Sequence, residues 1–427
     1  MAWTSMMAAI ILIVVSLLMP SSQLALNYSH AAERILLPAI PVPLDFFGMH
    51  TLSYDQPWPT EIEIGALGKG TLTGWPYIER SAGVYTWTDL DRWVALAEAH
   101  KIGIFHTIGP GSPEWATSNR ASCRNSAIGG IKNCTALPAD LSRIDSFVSA
   151  LVARYKGRIR YYEMANEPDS YTTATDLVAY VNNVVPIIRK LDPAAKIISA
   201  SMNGRNPGIM KEYFSRGGTT DFDVLSIHSY PPTGNPYNVP ESIDVNWSAT
   251  GNVHLLAPLR PILAQHGLEQ KPIWSTEGSW GNRTYATGAA NDQDLEAAFV
   301  ARYHLLHWSN GVTRAYWYAW PVGGTNWGSL KGRKGAMAYR EVQNWMINAT
   351  MTSMCAASGT VWSCLLSRPH PNNYRAQAVW DTAGPSVYRA PDEFKVYRDL
   401  EGNQFNIPQD HEVPIGLKPL LFASSER

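Results

Sequence analysis

Between residues 44 and 345 the chain alternates short apolar runs with stretches whose apolar residues recur at helical spacing. Eight runs have the character of buried strands: 45–50, 61–67, 103–109, 159–164, 196–201, 223–228, 272–276 and 314–320. Five intervening stretches, 87–97, 140–157, 175–191, 254–267 and 292–311, carry the helical pattern. In the second of these Ile144, Phe147, Val148, Leu151 and Val152 share one face, and Gly157 supplies the stop. Strands alternating with helices predict parallel βα units, and eight such units predict a closed (β/α)8 TIM barrel. An open doubly wound sheet is the rival, but no Gly-x-Gly-x-x-Gly follows an early strand.

After residue 350 the pattern changes to short β-like runs at 360–366, 376–380, 394–397 and 413–422, broken by Pro, Gly and Asn. This predicts a small C-terminal antiparallel β-sandwich at 349–427 packed on the barrel at 40–348. The segment following the N-terminal leader is a candidate for one further strand of it. Residues 1–25 stand apart. The apolar run from Met6 to Met19 is about fourteen residues, short for a spanning helix and suited to a signal-peptide core. Cleavage after Ala25 or Ala31 gives a secreted or periplasmic protein; an uncleaved segment gives a membrane-anchored one.

The cysteines fall into two local pairs, Cys123 with Cys134 and Cys355 with Cys364, which suits disulfides in an oxidising compartment. No Cys-x-x-Cys or His-x-x-x-His spacing is present, so a zinc site is not expected; no metal or cofactor enters the expected chemistry. The formal net charge of -1 gives no field to draw in nucleic acid or an anionic membrane, and suits a neutral partner. The 16 Trp and 20 Tyr are numerous enough to serve either as core or as flat platforms for sugar rings.

In an eight-stranded barrel the chemistry lies where the strands end. The fourth predicted strand ends Asn166-Glu167-Pro168, the sixth His228-Ser229-Tyr230, the seventh Glu277-Gly278-Ser279-Trp280, and the eighth Trp317-Tyr318-Ala319-Trp320. Strands four and seven face each other across the mouth, so Glu167 and Glu277 can flank one sugar. Two opposed carboxylates are what glycosidic bond cleavage requires, one as acid and one as anion, and their mutual repulsion is expected to raise one pKa. His50, ending strand one, and His106, in strand three, are candidates to line the pocket or to be structural. Trp115 and Trp280 leave the same face and are candidates for stacking on sugars or for packing loops.

These strand ends resemble clan A of the glycoside hydrolases. Trp75-Pro76-Tyr77-Ile78-Glu79, Gly83-Val84-Tyr85-Thr86-Trp87 and Ser112-Pro113-Glu114-Trp115-Ala116 extend the resemblance to family 39, which includes β-xylosidases and α-L-iduronidases. The resemblance implies Glu167 as acid/base, Asn166 as a contact to the sugar 2-hydroxyl and Glu277 as nucleophile. It further implies Tyr230 as the nucleophile's hydrogen-bond donor with His228 beside it, and Trp317 or Trp320 beneath the sugar. One feature departs from the clan. Many members carry Arg at the end of strand two, where this chain reads Ala66-Leu67-Gly68-Lys69-Gly70. Lys69 is then either a point-charge substitute or a solvated loop residue.

The expected activity is retaining hydrolysis of a neutral oligo- or polysaccharide by double displacement, with the carboxyl groups roughly 5 to 5.5 Å apart. Transglycosylation would use the same residues. A carbohydrate-binding protein on a degenerate barrel is the alternative outside enzymology.

Overall fold

A computed structural model describes residues 40–51, 54–55, 57–70, 72–109, 111–125, 130–203, 208–230, 240–241, 256–279, 292–320, 329–368 and 373–425. The N-terminal apolar segment, Ala25 and Ala31 lie outside them. No helix among the described residues is long and apolar enough to cross a membrane.

The eight expected strands are present: β1 (Phe47–His50), β2 (Ala66–Leu67), β3 (Gly103–Gly109), β4 (Tyr161–Ala165), β5 (Lys196–Ile198), β6 (Leu225–His228), β7 (Ile273–Gly278) and β8 (Val312–Tyr318). They form one parallel sheet ordered β5-β4-β3-β2-β1-β8-β7-β6. Parallel bridges from Ile198 to Val224 and from Met202 to Ile227 join its two edges and close the barrel. Seven longer helices pack outside: α1 (Thr88–Ala99), α2 (Ser142–Tyr155), α3 (Ala174–Leu191), α4 (Gly208–Ser215), α5 (Leu256–Gln265), α6 (Gln293–Ser309) and α7 (Lys334–Met346).

Strand alternation sorts the side chains into two cores. Ala66, Phe105, Ile198, Val224, Trp274 and Tyr316 fill the barrel. Their neighbours Leu67, Ile104, Ile197, Leu225, Ile273 and Trp317 face the helices and join the larger core. The lower mouth is plugged by Arg314, whose guanidinium lies 4.0 Å from the Trp274 ring centre and pairs with Asp45.

Two helix ends show how sequence dictates the elements. The Asp292 side chain accepts from the Asp294 and Leu295 amides, both at 3.0 Å, and starts α6. At the other end Gly311 takes φ 77°, the left-handed turn that ends a helix at little cost in glycine. Unlike the amphipathic helix expected from its sequence, α6 is buried on every side from Glu296 to Ser309. The C-terminal strands cover its outer face, where the Cys355 amide donates to Ser309 Oγ at 2.8 Å.

Those strands are β9 (Thr350–Ser358), β10 (Val361–Arg368), β11 (Tyr374–Asp381), β12 (Ser386–Arg389), β13 (Val396–Arg398), β14 (Gln404–Asn406), β15 (Glu412–Ile415) and β16 (Leu420–Ala423). Six form an antiparallel sheet, β9-β10-β11-β16-β13-β14, and β12 pairs with β15 beside it. Val42 bridges Ile347 in parallel just before β9 begins, so the early segment does run beside the chain as it leaves the barrel. Disulfides join Cys123 to Cys134 and Cys355 to Cys364.

Candidate active site

The upper rim of the barrel gathers Glu167, Glu277, His228, Tyr230, Asn166 and Lys69. Each arrives by a local device. Glu167 follows β4 with φ 48° and ψ 47°, a left-handed conformation unusual for a side chain of its size, held by its amide donating to Ser201 O at 2.9 Å. Glu277 depends on an irregularity in β7. Simple alternation from Trp274 and Thr276, which face the barrel, would turn residue 277 toward the helices. Instead Ser275 pairs with Ile227 and Glu277 with His228, so one extra residue on β7 brings Glu277 inward beside His228.

Lys69 is not a solvated loop residue. Its ammonium lies 2.7 Å from Glu277 Oε2 and also donates to Asn166 Oδ1, with only 21% of the side chain exposed. The flanking glycines set this course. A Cβ at Gly68 would enter the His50 ring, and one at Gly70 the Trp93 ring. Lys69 thus places a cation beside Glu277 as a point charge, without the two-pronged geometry of guanidinium.

Tyr230 donates from its hydroxyl to the other oxygen of the same carboxylate, Glu277 Oε1, at 2.6 Å. Burial pushes the Glu277 carboxyl toward the neutral form. Lys69, by charge and contact, and His228 outweigh it and hold that group far below the usual carboxylate range. The imidazole of His228, fully buried, stands between the two acids. Its Nδ1 is 3.0 Å from Glu167 Oε1 and its Nε2 is 3.9 Å from Glu277 Oε2. One ligand atom from each of Glu167, His228 and Glu277 lies within 4.8 Å of the others. Three such donors could in principle hold a cation, but Lys69 already neutralises Glu277 and Nδ1 is engaged by Glu167.

The expected raised acid is not found. Burial and Glu277 do push Glu167 up, yet the hydrogen bond and charge of His228, helped by Asn203, carry its carboxyl below the ordinary value. His228 responds in the opposite sense. Burial lowers its pKa, but Glu277 and the Glu167 contact raise it above the ordinary imidazole value.

Beneath the rim lies a third carboxylate, Glu163, completely buried inside the barrel. Three hydroxyls donate to it: Thr107 at 2.6 Å, Thr276 at 2.7 Å and Ser226 at 3.0 Å. It adds to the negative field that keeps Lys69 protonated. No role was read for Glu163 in the sequence. The available signal was a charge inside an apolar strand run, which must be partnered if buried.

The remaining candidates separate. His50 is wholly buried below the rim, with Nε2 2.8 Å from Thr276 O and its pKa lowered to about 4 by burial. His106 points to the helix side, and burial lowers its pKa to about 3. Trp317 is removed from the pocket by alternation: it stands edge-on to Tyr303 and stacks on His304, both in α6. Tyr318, which no sequence argument singled out, takes the barrel side instead. Burial and the charge of Glu277 push its hydroxyl to about 12. Trp320 is also buried, with its amide donating to His50 O at 2.7 Å. Trp115 donates from its indole to Glu79 O at 2.9 Å and packs a loop. Trp280 lies outside the described residues.

Gly278, directly after Glu277, gives one test of this packing. A Cβ there would run into the Tyr303 hydroxyl and the Ser229 carbonyl. Gly278→Ala is expected to cost about 1–3 kcal/mol in urea unfolding, as overpacking does. Because the end of β7 must shift, Tyr230 should also lose its bond to Glu277. An unchanged midpoint would argue that β7 is more pliable than its contacts imply.

The structure is a closed parallel barrel with two carboxylates facing each other across its upper mouth, the arrangement that the strand-end resemblance implied. Structural comparison agrees. A family 39 glycoside hydrolase from Bacteroides cellulosilyticus WH2 superposes with a TM-score of 0.67 at 17% identity, covering 89% of this chain and 81% of its own. The bifunctional glucanase-xylanase CelM2, from a metagenome library, gives 0.62 at 12% identity, with 91% and 97% covered. A monomeric β-xylosidase from Caulobacter crescentus CB15 gives 0.59 at 14%, with 91% and 97% covered. At these identities the likeness is one of fold, and at that level the resemblance to clan A holds. No protein-family sequence model and no curated protein sequence matches the chain.

Proposed function

We propose that the chain is an exported, retaining glycoside hydrolase acting on a neutral glycan. The observation that carries the reading is the placement of Glu167 and Glu277 within 4.8 Å by their nearer ligand atoms, with Lys69 and Tyr230 fixing the second as an anion. That spacing suits direct attack on the sugar, not a water held between distant carboxylates. Glu277 attacks the anomeric carbon as the bond to the leaving oxygen breaks, and a proton on Glu167 passes to that oxygen. Glu167, now ionised, takes a proton from water, whose oxygen displaces Glu277 and restores both groups. Two disulfides suit an oxidising compartment.

The neighbouring folds named for xylosidase, xylanase and glucanase activity direct the first test to aryl β-xylosides and β-glucosides, then to plant and bacterial polysaccharides. Proton NMR of the first-formed product should show the β-anomer. Initial α-product would reject double displacement, and no turnover with tight glycan binding would favour a binding protein.

Lys69 permits a sharper measurement. Lys69→Met is expected to lower kcat/KM by about 10²–10³, the scale of removing one preorganised charge at a reacting centre. Glu277 would lose its cation, so its pKa rises and the acidic limb of the rate profile moves to higher pH. Lys69→Arg should keep most of that limb in place. An unshifted limb in Lys69→Met would mean that Lys69 does not hold Glu277 ionised.

A further inference from the structure

The carboxyl expected to be the acid is held ionised in the free site, and the group that holds it so is an imidazole with no contact to water. His228 has no side-chain exposure, and its Nδ1 lies 3.0 Å from Glu167 Oε1. Charged or titratable groups face it from four directions: Glu167 after β4, Glu277 from β7, Lys69 after β2 and His50 from β1. Tyr230 lies beyond it on its own loop, 6.5 Å between ring centres. Carboxylates outnumber the one ammonium around this rim, even before the buried Glu163 is counted, and the imidazole stands directly between Glu167 and Glu277.

We propose that His228 stores the catalytic proton, handing it to Glu167 for the acid step and receiving it back when the cycle closes. The inference rests on Glu167 being the acid/base of the proposed hydrolase. In the free site Nδ1 carries the proton and Glu167 is a carboxylate. With a glycan bound, the proton moves along the hydrogen bond to Glu167 Oε1, leaving a neutral imidazole. Glu167 then gives it to the leaving oxygen as Glu277 bonds to the anomeric carbon. Glu277 is now an uncharged ester, so the anion that favoured imidazolium is gone. His228 stays neutral and does not compete with Glu167 for the proton it next takes from water. Hydrolysis restores the Glu277 carboxylate, and the proton returns to Nδ1. One proton enters from water and one leaves with the alcohol, with no external acid needed.

The two acids therefore communicate through His228: the charge on Glu277 decides where the proton of Glu167 rests. The test is the pH dependence of kcat/KM for a substrate with a poor leaving group. In the wild type the alkaline limb belongs to the His228–Glu167 pair. In His228→Asn it belongs to a carboxylic acid alone and should move toward acid. The variant's rate at pH 8, relative to its own maximum, is expected to fall at least about tenfold below the wild type's. A uniform loss with both limbs unmoved would overturn the proposal and leave His228 a structural residue.

If the variant does not fold, the wild type still decides. Imidazolium loses its proton with a much larger heat uptake than a carboxylic acid does. The alkaline limb should therefore move to lower pH on warming, and a limb fixed in temperature overturns the proposal. Failure of the underlying reading looks different: a Glu167→Ala enzyme with undiminished activity on poor leaving groups would remove Glu167 itself as the acid.

Discussion

Replacing Glu277 with Ala is expected to lower kcat by about 10⁵–10⁶, the scale seen when a nucleophile acting as part of a unit is deleted. Several groups are built around this one carboxylate. Lys69 at 2.7 Å and Tyr230 at 2.6 Å hold its two oxygens, and His228 stands at 3.9 Å. Removing it leaves Lys69 part-buried beside Glu163 and Glu167 without its closest counter-ion. A broken buried pair can cost about 3–5 kcal/mol; with the lysine 21% exposed the loss should be nearer 1–3 kcal/mol. The variant should therefore fold, with a lowered urea midpoint. The space left by the side chain would admit azide, which should attack an activated aryl β-glycoside from the Glu277 side. The product expected is the α-glycosyl azide, of inverted configuration. Activity within about a hundredfold of wild type, or rescue giving the β-azide, would place the nucleophile elsewhere.

The sequence made the scaffold legible because each strand is an apolar run ended by polar punctuation, and eight such runs admit few arrangements. Asn166, Glu167, His228, Tyr230 and Glu277 were all found at strand ends, and the structure does bring them together. What was hidden depends on contacts from distant elements. Lys69 reaches Glu277 only because Gly68 and Gly70 make way for His50 and Trp93, from β1 and α1. Glu277 faces inward only through the extra residue in β7, which period-two counting from Trp274 would miss. The resemblance implied Trp317 or Trp320 as the platform, yet strand alternation turns Trp317 toward α6 and gives the rim to Tyr318. The pKa order of the acids was also out of reach. Repulsion between two carboxylates is readable from their number, but the imidazole placed between them reverses its effect on Glu167.

Glu167→Ala should produce the second largest loss, and its pattern matters more than its size. For glycosides with poor leaving groups kcat/KM is expected to fall by about 10²–10⁴, the contribution of a positioned general acid. A dinitrophenyl glycoside needs no proton to depart, so its first step should be nearly unaffected. Its second step, however, loses the base that activates water. The glycosyl-enzyme on Glu277 then accumulates, giving a rapid burst of phenolate followed by slow turnover and a lowered KM. Azide needs no base and should restore turnover, yielding the β-azide of retained configuration. The opposite azide anomers from the two alanine variants would separate nucleophile from acid/base without any crystal of a complex. His228 gives the experiment a further edge, since in Glu167→Ala its Nδ1 loses the partner 3.0 Å away. With Glu277 still ionised the imidazolium persists in the free enzyme, but it has no carboxylate through which to deliver its proton. Equal losses across all leaving groups would mean that Glu167 shapes the pocket without transferring a proton.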